Sequence, residues 1–235
     1  MTATKSIWQT MPVKTWGGKL SNLSRLKRMG LSVPHAFGVK PGVKLDDELK
    51  SEVTMRVLGL GSNGVFAVRS SATSEDGVND SFAGMHDSIL NVKSQDVFDA
   101  IGKVRESVNT PQAKAYRKQK GLSKPRMAVV VQRMIDPLMS GVCFTVDPVT
   151  NDPTLMTIEY VYGLGDKLVS GETTPSSMSI RKDTPLPEGM ALAYLTQKCI
   201  QLEGWLGRPQ DIEWAIDKQG VLWFLQTRPI TTLEK

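Results

Sequence analysis

Four polar residues near the end of the chain could bind a metal ion and a phosphate group together: Asp211, Glu213, Gln226 and Arg228. They fall on two predicted strands, where alternation places Asp211 and Glu213 on one face and aligns Gln226 with Arg228. Carboxylate and amide oxygens suit Mg²⁺, and an adjacent arginine neutralises charge on a transferring phosphoryl group. The pattern favours a magnesium and phosphate site. The alternative is cross-strand charge pairing on a solvated face.

A second cluster begins where Arg69 ends an apolar run and precedes the hydroxylic and acidic residues of Ser70–Asp76. Arginine can grip a phosphate through two donors, and small hydroxylic residues add further donors. Small residues around one aromatic follow: Ser81, Phe82, Ala83 and Gly84. Such a segment is typical of a loop that closes over a ligand. The alternative is a solvated turn with Arg69 in a surface ion pair.

Two weaker signals lie at Gly17-Gly18-Lys19 and in the apolar segment Val130–Ile135. Glycines ahead of a helix let backbone N–H groups approach an anion, and Lys19 adds a mobile charge. The full Walker pattern is missing, so an ordinary glycine turn is the alternative. The apolar segment could hold a flat adenine ring while its backbone reads the ring edge, or it could be a plain buried strand.

The hydrophobic pattern predicts an α+β fold, because helices and strands mix without regular alternation. Helices are expected over residues 19–29, 45–58, 94–120 with a break at Pro111, and 189–205. Strands are expected over residues 65–69, 88–92, 127–134, 141–146, 157–162, 178–180, 211–216 and 221–226. The polar stretch 70–80 is predicted to lie outside the core.

Composition is that of a soluble protein: 235 residues, 40% hydrophobic and 23% charged. No run of about 18 apolar residues and no signal-peptide core occurs, so we expect a cytoplasmic protein that does not contact a membrane. The net charge is +5, but the basic residues are dispersed, which disfavours nucleic acid as a partner. Cys143 and Cys199 have no metal-binding spacing and are predicted to be buried thiols.

Five segments in order carry a resemblance to a known family. They are GGKLSNLSRLKRMGLSVPHAFGV, FAVRSSATSEDGVNDSFAGMHDSILNV, VVVQRMIDPLMSGVCFTVDPVT, IEYVYGLGDKLVSGETTP and PQDIEWAIDKQGVLWFLQTRPIT. Together they resemble the N-terminal ATP-binding domain of the phosphoenolpyruvate synthase and pyruvate phosphate dikinase family, in register from about Trp16 to Thr231. The resemblance implies the ATP-grasp fold, with ATP held between two lobes, approximately residues 1–125 and 126–235, of a single domain.

The resemblance also implies roles for individual residues. Lys19 and Arg69 would contact the ATP phosphates, and Arg228 would lie beside the transferring ones; these three are the implied catalytic residues. Ser81, Phe82, Ala83 and Gly84 would cover the phosphates, and Gln132, Met134 and Ile135 would hold adenine. Glu213 and Gln226 would bind Mg²⁺, with Asp211 as a less certain third ligand.

The chain departs from the family pattern at several places. Residues 40–64 and 181–200 are shorter than their counterparts, Val146 stands where an arginine is usual, and Ser176 replaces an acidic residue. Neither the phosphohistidine domain nor the barrel that binds pyruvate is recognisable in the sequence. Neither His35 nor His86 lies in the threonine-serine-histidine context of the family's carrier histidine.

Three hypotheses follow for the function. The first is an ATP- and Mg²⁺-dependent phosphotransferase, the ATP-binding half of a dikinase-like system that passes a phosphoryl or pyrophosphoryl group to a histidine on a separate protein. The second is a stand-alone ATP-grasp kinase or ligase whose acceptor is a small molecule. The third is a non-catalytic ATP-binding regulatory module, including one that acts as a homodimer.

Overall fold

The computed structural model describes residues 2–61, 63–72, 76–77, 80–81, 88–120, 126–165, 174–184, 186 and 191–231. The chain divides into two compact units, Met1–Gly30 with Pro34–Met134, and Leu31–Val33 with Ile135–Lys235. Each unit contains one five-stranded sheet in which neighbouring strands run antiparallel. The fold is therefore α+β, as predicted. No helix in the described ranges is both long and apolar enough to cross a membrane.

The first unit contains most of the short elements. Its strands are β1 (Thr4–Ser6), β2 (Ala36–Val39), β3 (Val65–Ala72), β4 (Asp76–Gly77), β5 (Asp80–Ser81), β6 (Ser88–Lys93) and β7 (Met127–Arg133). Its helices are α1 (Val13–Arg28), α2 (Asp47–Leu60), α3 (Val97–Glu106) and α4 (Pro111–Lys120). The main sheet has the order β1-β2-β7-β3-β6, while β4 pairs with β5. β3 and β7 therefore occupy the interior of the sheet.

The two faces of the first sheet are covered by different helices. Phe66 and Val68 of β3 share one buried cluster with Val131 of β7 and with side chains of α2 and α3. The alternate residues of β3 and β7 pack against α1. Branched residues along β7 suit this position, since a central strand is buried on both faces.

The second unit contains β8 (Pro137–Phe144), β9 (Leu155–Tyr162), β10 (Ser176–Arg181), α5 (Ala191–Leu206), β11 (Gln210–Asp217) and β12 (Leu222–Pro229). The sheet has the order β10-β9-β8-β11-β12. One of its faces is apolar and packs on α5, where Cys143 of β8 contacts Cys199 of the helix. Both thiols are free and buried, which confirms the prediction for them. Burial raises the pKa of the Cys199 thiol, so it behaves as an inert core residue.

The longer predicted helices and strands are present in the structure, but several bounds differ. Helix α1 begins at Val13 rather than at residue 19, β8 covers Pro137–Phe144 rather than residues 141–146, and the short strands β1, β4 and β5 were not predicted. The long helical stretch is interrupted at Ser107–Asn109, immediately before α4 begins at Pro111, as the proline predicted. The helix expected over residues 45–58 is α2, which begins at Asp47 and continues through Gly59 to Leu60. The prediction that the polar stretch from Ser70 lies outside the core was wrong at its start. Residues 70–72 belong to β3 and are fully buried, because hydrogen bonds to α1 satisfy the Ser71 hydroxyl.

Helix α1 contains a break that the sequence located. Gly17 has φ of 75° and ψ of 172°, which is not helical, and regular helix follows from Gly18. A Cβ atom at Gly17 would lie 2.3 Å from the Ser71 carbonyl oxygen. The position therefore needs glycine for two reasons, its positive φ and the close approach of β3.

We predict that Gly17→Ala lowers the free energy of unfolding by at least 1–2 kcal/mol, roughly the cost of a left-handed alanine, with the clash adding to it. Urea unfolding monitored by circular dichroism measures this change. Gly59→Ala is the matched control, because a Cβ there meets no atom within 4 Å. The control should be neutral or stabilising by roughly 0.5–1 kcal/mol. Equal effects of the two substitutions would contradict the packing of Gly17 on β3.

Candidate nucleotide site

The Ser71 side chain joins β3 to the start of the regular part of α1. Its hydroxyl donates a hydrogen bond to the Trp16 carbonyl oxygen at 2.7 Å and accepts one from the Leu20 backbone N–H at 3.1 Å. The hydroxyl thus acts as a helix cap supplied from another element, at the point where Gly17 interrupts the helix. Lys19 consequently lies in the first turn after the break, at the electropositive end of the helix.

Arg69 and Gln132 lie on the same face of the sheet as Ser71. Arg69 and Ser71 are two residues apart on β3, and Gln132 pairs with Ala67, which belongs to the same alternating set. Because Ser71 contacts α1, this is the face that α1 covers. Gln132 is 4% exposed, while Arg69 and Lys19 are half-buried. The first unit thus brings Lys19, Arg69 and Gln132 to one side of its sheet.

The other residues predicted for this half of the site are described in part. The backbone N–H of Met134 donates to the Val65 carbonyl oxygen at 2.8 Å, which extends the pairing of β7 by one residue. The Met134 sulfur accepts a hydrogen bond from the Asn91 N–H at 3.1 Å. Ile135 is half-buried and begins the longer segment of the second unit.

The predicted phosphate-covering segment lies mostly outside the described residues. Ser81 lies on β5, whereas Phe82, Ala83 and Gly84 lie outside the described ranges.

The hairpin of β11 and β12 places four predicted residues in two directly opposed pairs. Asp211 lies opposite Arg228, and Glu213 lies opposite Gln226. Between them along β11, Ile212 is fully buried in the apolar face. The alternation predicted for this hairpin is therefore confirmed: one face carries the polar residues and the other belongs to the core.

The Asp211–Arg228 pair is a close ion pair. The guanidinium Nε and Nη2 atoms each lie 2.7 Å from Asp211 Oδ2. Burial raises the pKa of the Asp211 carboxyl, the positive charge of Arg228 opposes this shift, and the nearby charge of Glu213 adds to it. Arg228 remains about half exposed, so the ion pair fixes the orientation of the Arg228 guanidinium and leaves it accessible to a ligand.

The Glu213–Gln226 pair carries a buried oxygen atom for which the described residues provide no hydrogen-bond donor. Gln226 Oε1 is buried and accepts no hydrogen bond from any described residue. A buried amide oxygen without a donor is costly, and a bound cation is one way to satisfy it. The pairing register shifts just after Glu213, as in a β-bulge, a feature that re-aims side chains beside active sites.

Two oxygen donors on adjacent strands fit Mg²⁺, which keeps several waters and takes further ligands from phosphates. Asp211 is a third candidate ligand, with its Oδ2 atom engaged by Arg228. Groups of three or more acidic, histidine or cysteine side chains able to hold a metal do not occur among the residues described. With two or three protein oxygens, further coordination positions of a metal ion remain for phosphate oxygens and water.

Sequence reasoning missed Glu159 of β9. Val142 of β8 lies opposite both Glu159 and Glu213, so the two carboxylates occupy the same face, separated by one strand. This spacing is about 10 Å between backbones. A charged residue in the middle of an otherwise apolar strand was the signal that could have revealed it.

Asp147 organises the turn after β8, in the segment where the chain departs from the family pattern. Its carboxylate accepts hydrogen bonds from the backbone N–H of Thr150 at 2.8 Å and from the Thr157 hydroxyl at 2.8 Å. The backbone bond from Thr150 and the hydroxyl bond from Thr157 are the main causes that lower the pKa of Asp147 to about 2. The adjacent Val146 is 2% exposed, so that position faces the interior.

The two antiparallel sheets and the helices packed on them give the chain an α+β fold of the ATP-grasp type. More particularly, the chain belongs to the family of the pyruvate phosphate dikinase AMP/ATP-binding domain, whose model matches residues 41–193 and 188–235. A crystal structure, PH1788 from Pyrococcus horikoshii OT3, has a similar fold, with a TM-score of 0.54 at 16% identity over 92% of each chain. The resemblance seen in the sequence is therefore confirmed.

Curated relatives are much longer than this chain. A rifampicin phosphotransferase from a Streptomyces species is 34% identical over 228 residues, which cover 80% of this chain and 26% of the relative. A probable phosphoenolpyruvate synthase from Methanocaldococcus jannaschii is 34% identical over 207 residues, which cover 72% of this chain and 17% of the relative. The chain thus corresponds to about a quarter or less of each of these proteins.

We predict that Asp147→Asn makes stability less dependent on pH in the acid range. An aspartate whose folded pKa is lowered to about 2 stabilises the protein above its ordinary pKa of 3.8, and this contribution is lost as pH falls through about 2. Urea unfolding should therefore show the variant less stable than the wild type at pH 7, with the difference shrinking in the most acidic samples.

The control for this experiment is Asp136→Asn, which removes an exposed carboxylate paired with Lys218. Surface pairs of this kind contribute about 0–1 kcal/mol. A stability difference between wild type and Asp147→Asn that stays constant from pH 7 to pH 2 would contradict the role assigned to the carboxylate.

Proposed function

We propose that the chain binds ATP with Mg²⁺ and transfers a phosphoryl or pyrophosphoryl group to a histidine on a separate protein. Membership of an ATP-binding family supports the nucleotide, and the names of the longer relatives support phosphoryl transfer. The observation that carries the proposal is the buried Gln226 oxygen, without a donor among the described residues, directly opposite the Glu213 carboxylate. In this chain that pair would hold Mg²⁺.

Mg²⁺, when bound, neutralises phosphate charge and polarises the phosphorus atom that is attacked. Glu213 supplies a charged oxygen and Gln226 a neutral one, so the protein contributes part of the coordination shell and leaves the rest to phosphates and water. Asp211 acts chiefly by holding Arg228 through their ion pair and is a third candidate ligand. Arg228 stabilises negative charge that develops on the transferred group.

The first unit supplies the remaining charge. Lys19, in the first turn after the helix break, and Arg69 of β3 lie on the same side of their sheet and contact the phosphates, as the family resemblance implied. The family resemblance assigns the covering of the phosphates to Ser81, Phe82, Ala83 and Gly84, and the binding of adenine to Gln132, Met134 and Ile135. These residues take little part in covalent chemistry, because phosphoryl transfer depends mainly on the positioning of the reactants and the neutralisation of phosphate charge.

Pyrophosphoryl transfer has a simple atom balance. An imidazole nitrogen of the acceptor histidine attacks the β-phosphorus, and the bond from that phosphorus to the oxygen bridging it to the α-phosphorus breaks. The bridging oxygen keeps the electron pair and leaves as part of AMP, while the imidazole loses its N–H proton. Arg228 would neutralise part of the negative charge that develops as this bond breaks, and Glu213 and Gln226 would hold a metal ion that supplies further positive charge.

A small-molecule acceptor is the second candidate, and one comparison favours it. Relatives named rifampicin phosphotransferase carry the name of a small molecule rather than that of a protein acceptor. In that case the phosphorylated product would be the small molecule rather than a histidine, and transfer of the terminal phosphoryl group to it would release ADP. A regulatory module would bind ATP and release neither product.

We predict that the chain forms AMP from ATP only when a phosphohistidine-carrier domain is added. Anion-exchange chromatography of the nucleotides, with ³¹P NMR of the carrier, measures the AMP formed and the phosphorylated histidine. ADP formed with a small molecule would support the second candidate instead. ATP unchanged with every acceptor, despite binding, would contradict phosphoryl transfer and leave the regulatory module.

Two variants make the product assay specific. Glu213→Gln keeps the size of the side chain and removes its charge, so turnover should fall by at least about 100-fold if the carboxylate binds the essential metal. Glu48→Gln is the matched control, because Glu48 is exposed in the first turn of α2. Its turnover should equal that of the wild type.

A further inference from the structure

A cavity of about 330 Å³ lies in the first unit and is not lined by any residue assigned above to nucleotide or metal binding. Its wall includes Gly42, Arg105, Glu106, Asn109, Arg126 and Met127. The volume is at the lower end of the range for small-molecule sites. Two arginine side chains in the wall of one cavity are typical of sites that recognise anions.

The cavity lies on the opposite face of the first sheet from Arg69 and Ser71. Met127 pairs with Ala72 in the sheet, and these two residues form a small apolar cluster with Val108. Ala72 follows Ser71 along β3, so their side chains point to opposite faces. A ligand in the cavity would therefore not occupy the position of a nucleotide phosphate bound by Arg69.

Arg105 carries a donor without an acceptor in the described part of the chain. Its Nη1 atom is buried and makes no hydrogen bond to a described residue. Burial lowers the pKa of the guanidinium, although an arginine stays charged at any physiological pH. A buried charged donor without an acceptor is costly, and an anionic ligand held in the cavity by this guanidinium would offset the cost by its charge.

Glu106 partly offsets the two positive charges of the cavity. Its Oε2 atom accepts a hydrogen bond from the Asn109 side-chain amide at 2.9 Å, in an exposed position. Two guanidinium groups and one carboxylate leave the wall with a net positive charge. Arg126 is exposed at the cavity and adds a mobile guanidinium to the more buried one of Arg105.

We propose that this cavity binds a small phosphate-bearing molecule, with Arg105 and Arg126 as the ligands of its phosphate group. A phosphate group offers three strong acceptor oxygens, enough for two guanidinium groups at once, whereas a planar carboxylate matches a single fork. The cavity is larger than a bare phosphate ion, so it fits a phosphorylated metabolite. The proposal is independent of the function assigned to the nucleotide site.

Methyl NMR tests the site directly, because Met127 lies in the cavity wall. The full chain, labelled at its methionine methyl groups, is first saturated with Mg²⁺ and a non-hydrolysable ATP analogue, then titrated with inorganic phosphate or with glycerol 3-phosphate. We expect the Met127 signal, assigned with Met127→Leu, to shift saturably with both probes. An unmoved signal, or an equal response to acetate, would overturn the proposal.

Substitutions separate binding by the two arginines from a general charge effect. Arg105→Met and Arg126→Met should each weaken glycerol 3-phosphate binding about tenfold, because each removes a charge-assisted donor pair. Lys103→Met makes the same charge change at an exposed position of α3 outside the cavity wall and should bind like the wild type. If Arg105→Met fails to fold, binding by Arg126→Met still tests the site, because Arg126 is exposed. Unchanged binding by Arg126→Met, or an equal loss in Lys103→Met, overturns the site.

Discussion

In the first unit, the position of the residues proposed to bind phosphate depends on one buried hydroxyl group. Ser71 bonds to the backbone on both sides of the Gly17 break, so the start of the regular α1 helix is held against β3. Without this contact the helix end would have no cap, and Lys19 would lose its fixed place beside the strand that carries Arg69. A close backbone approach at Gly17 completes the junction, which explains why glycine and serine, rather than larger residues, occupy these positions.

In the second unit, one face of the sheet packs in the hydrophobic core and the other face is polar. The core face needs Ile212 and its apolar neighbours for stability, whereas the opposite face carries a half-exposed ion pair and a buried amide oxygen that contribute little to folding. A polar group that costs stability and has no described donor points to function, because proteins retain such groups where a ligand completes them. The bulge after Glu213 lies at the same place.

The sequence was sufficient for the elements whose signal is local. Strand alternation predicted that Asp211 and Glu213 share one face of their strand and that Gln226 and Arg228 are aligned on theirs, and the glycine pair marked the start of the regular part of α1. It was insufficient for Ser71, because a hydroxyl that looks solvated in a polar stretch becomes buried only when a distant helix supplies its hydrogen-bond partners. Glu159 was missed for a related reason, since its relation to Glu213 depends on the order of three strands. Pairing between strands that are distant in the sequence cannot be predicted from any short segment of it.

Magnesium binding by Glu213 and Gln226 is the central claim, and isothermal titration of ATP with and without Mg²⁺ tests it most directly. Wild-type chain should bind ATP at least about tenfold more tightly with Mg²⁺, whereas Gln226→Met should lose this gain and keep an equal or higher free energy of unfolding, because a costly buried oxygen is removed. Gln219→Met, in the exposed turn of the hairpin, should behave like the wild type. An undiminished Mg²⁺ gain in folded Gln226→Met, or no gain in the wild type, would contradict the claim.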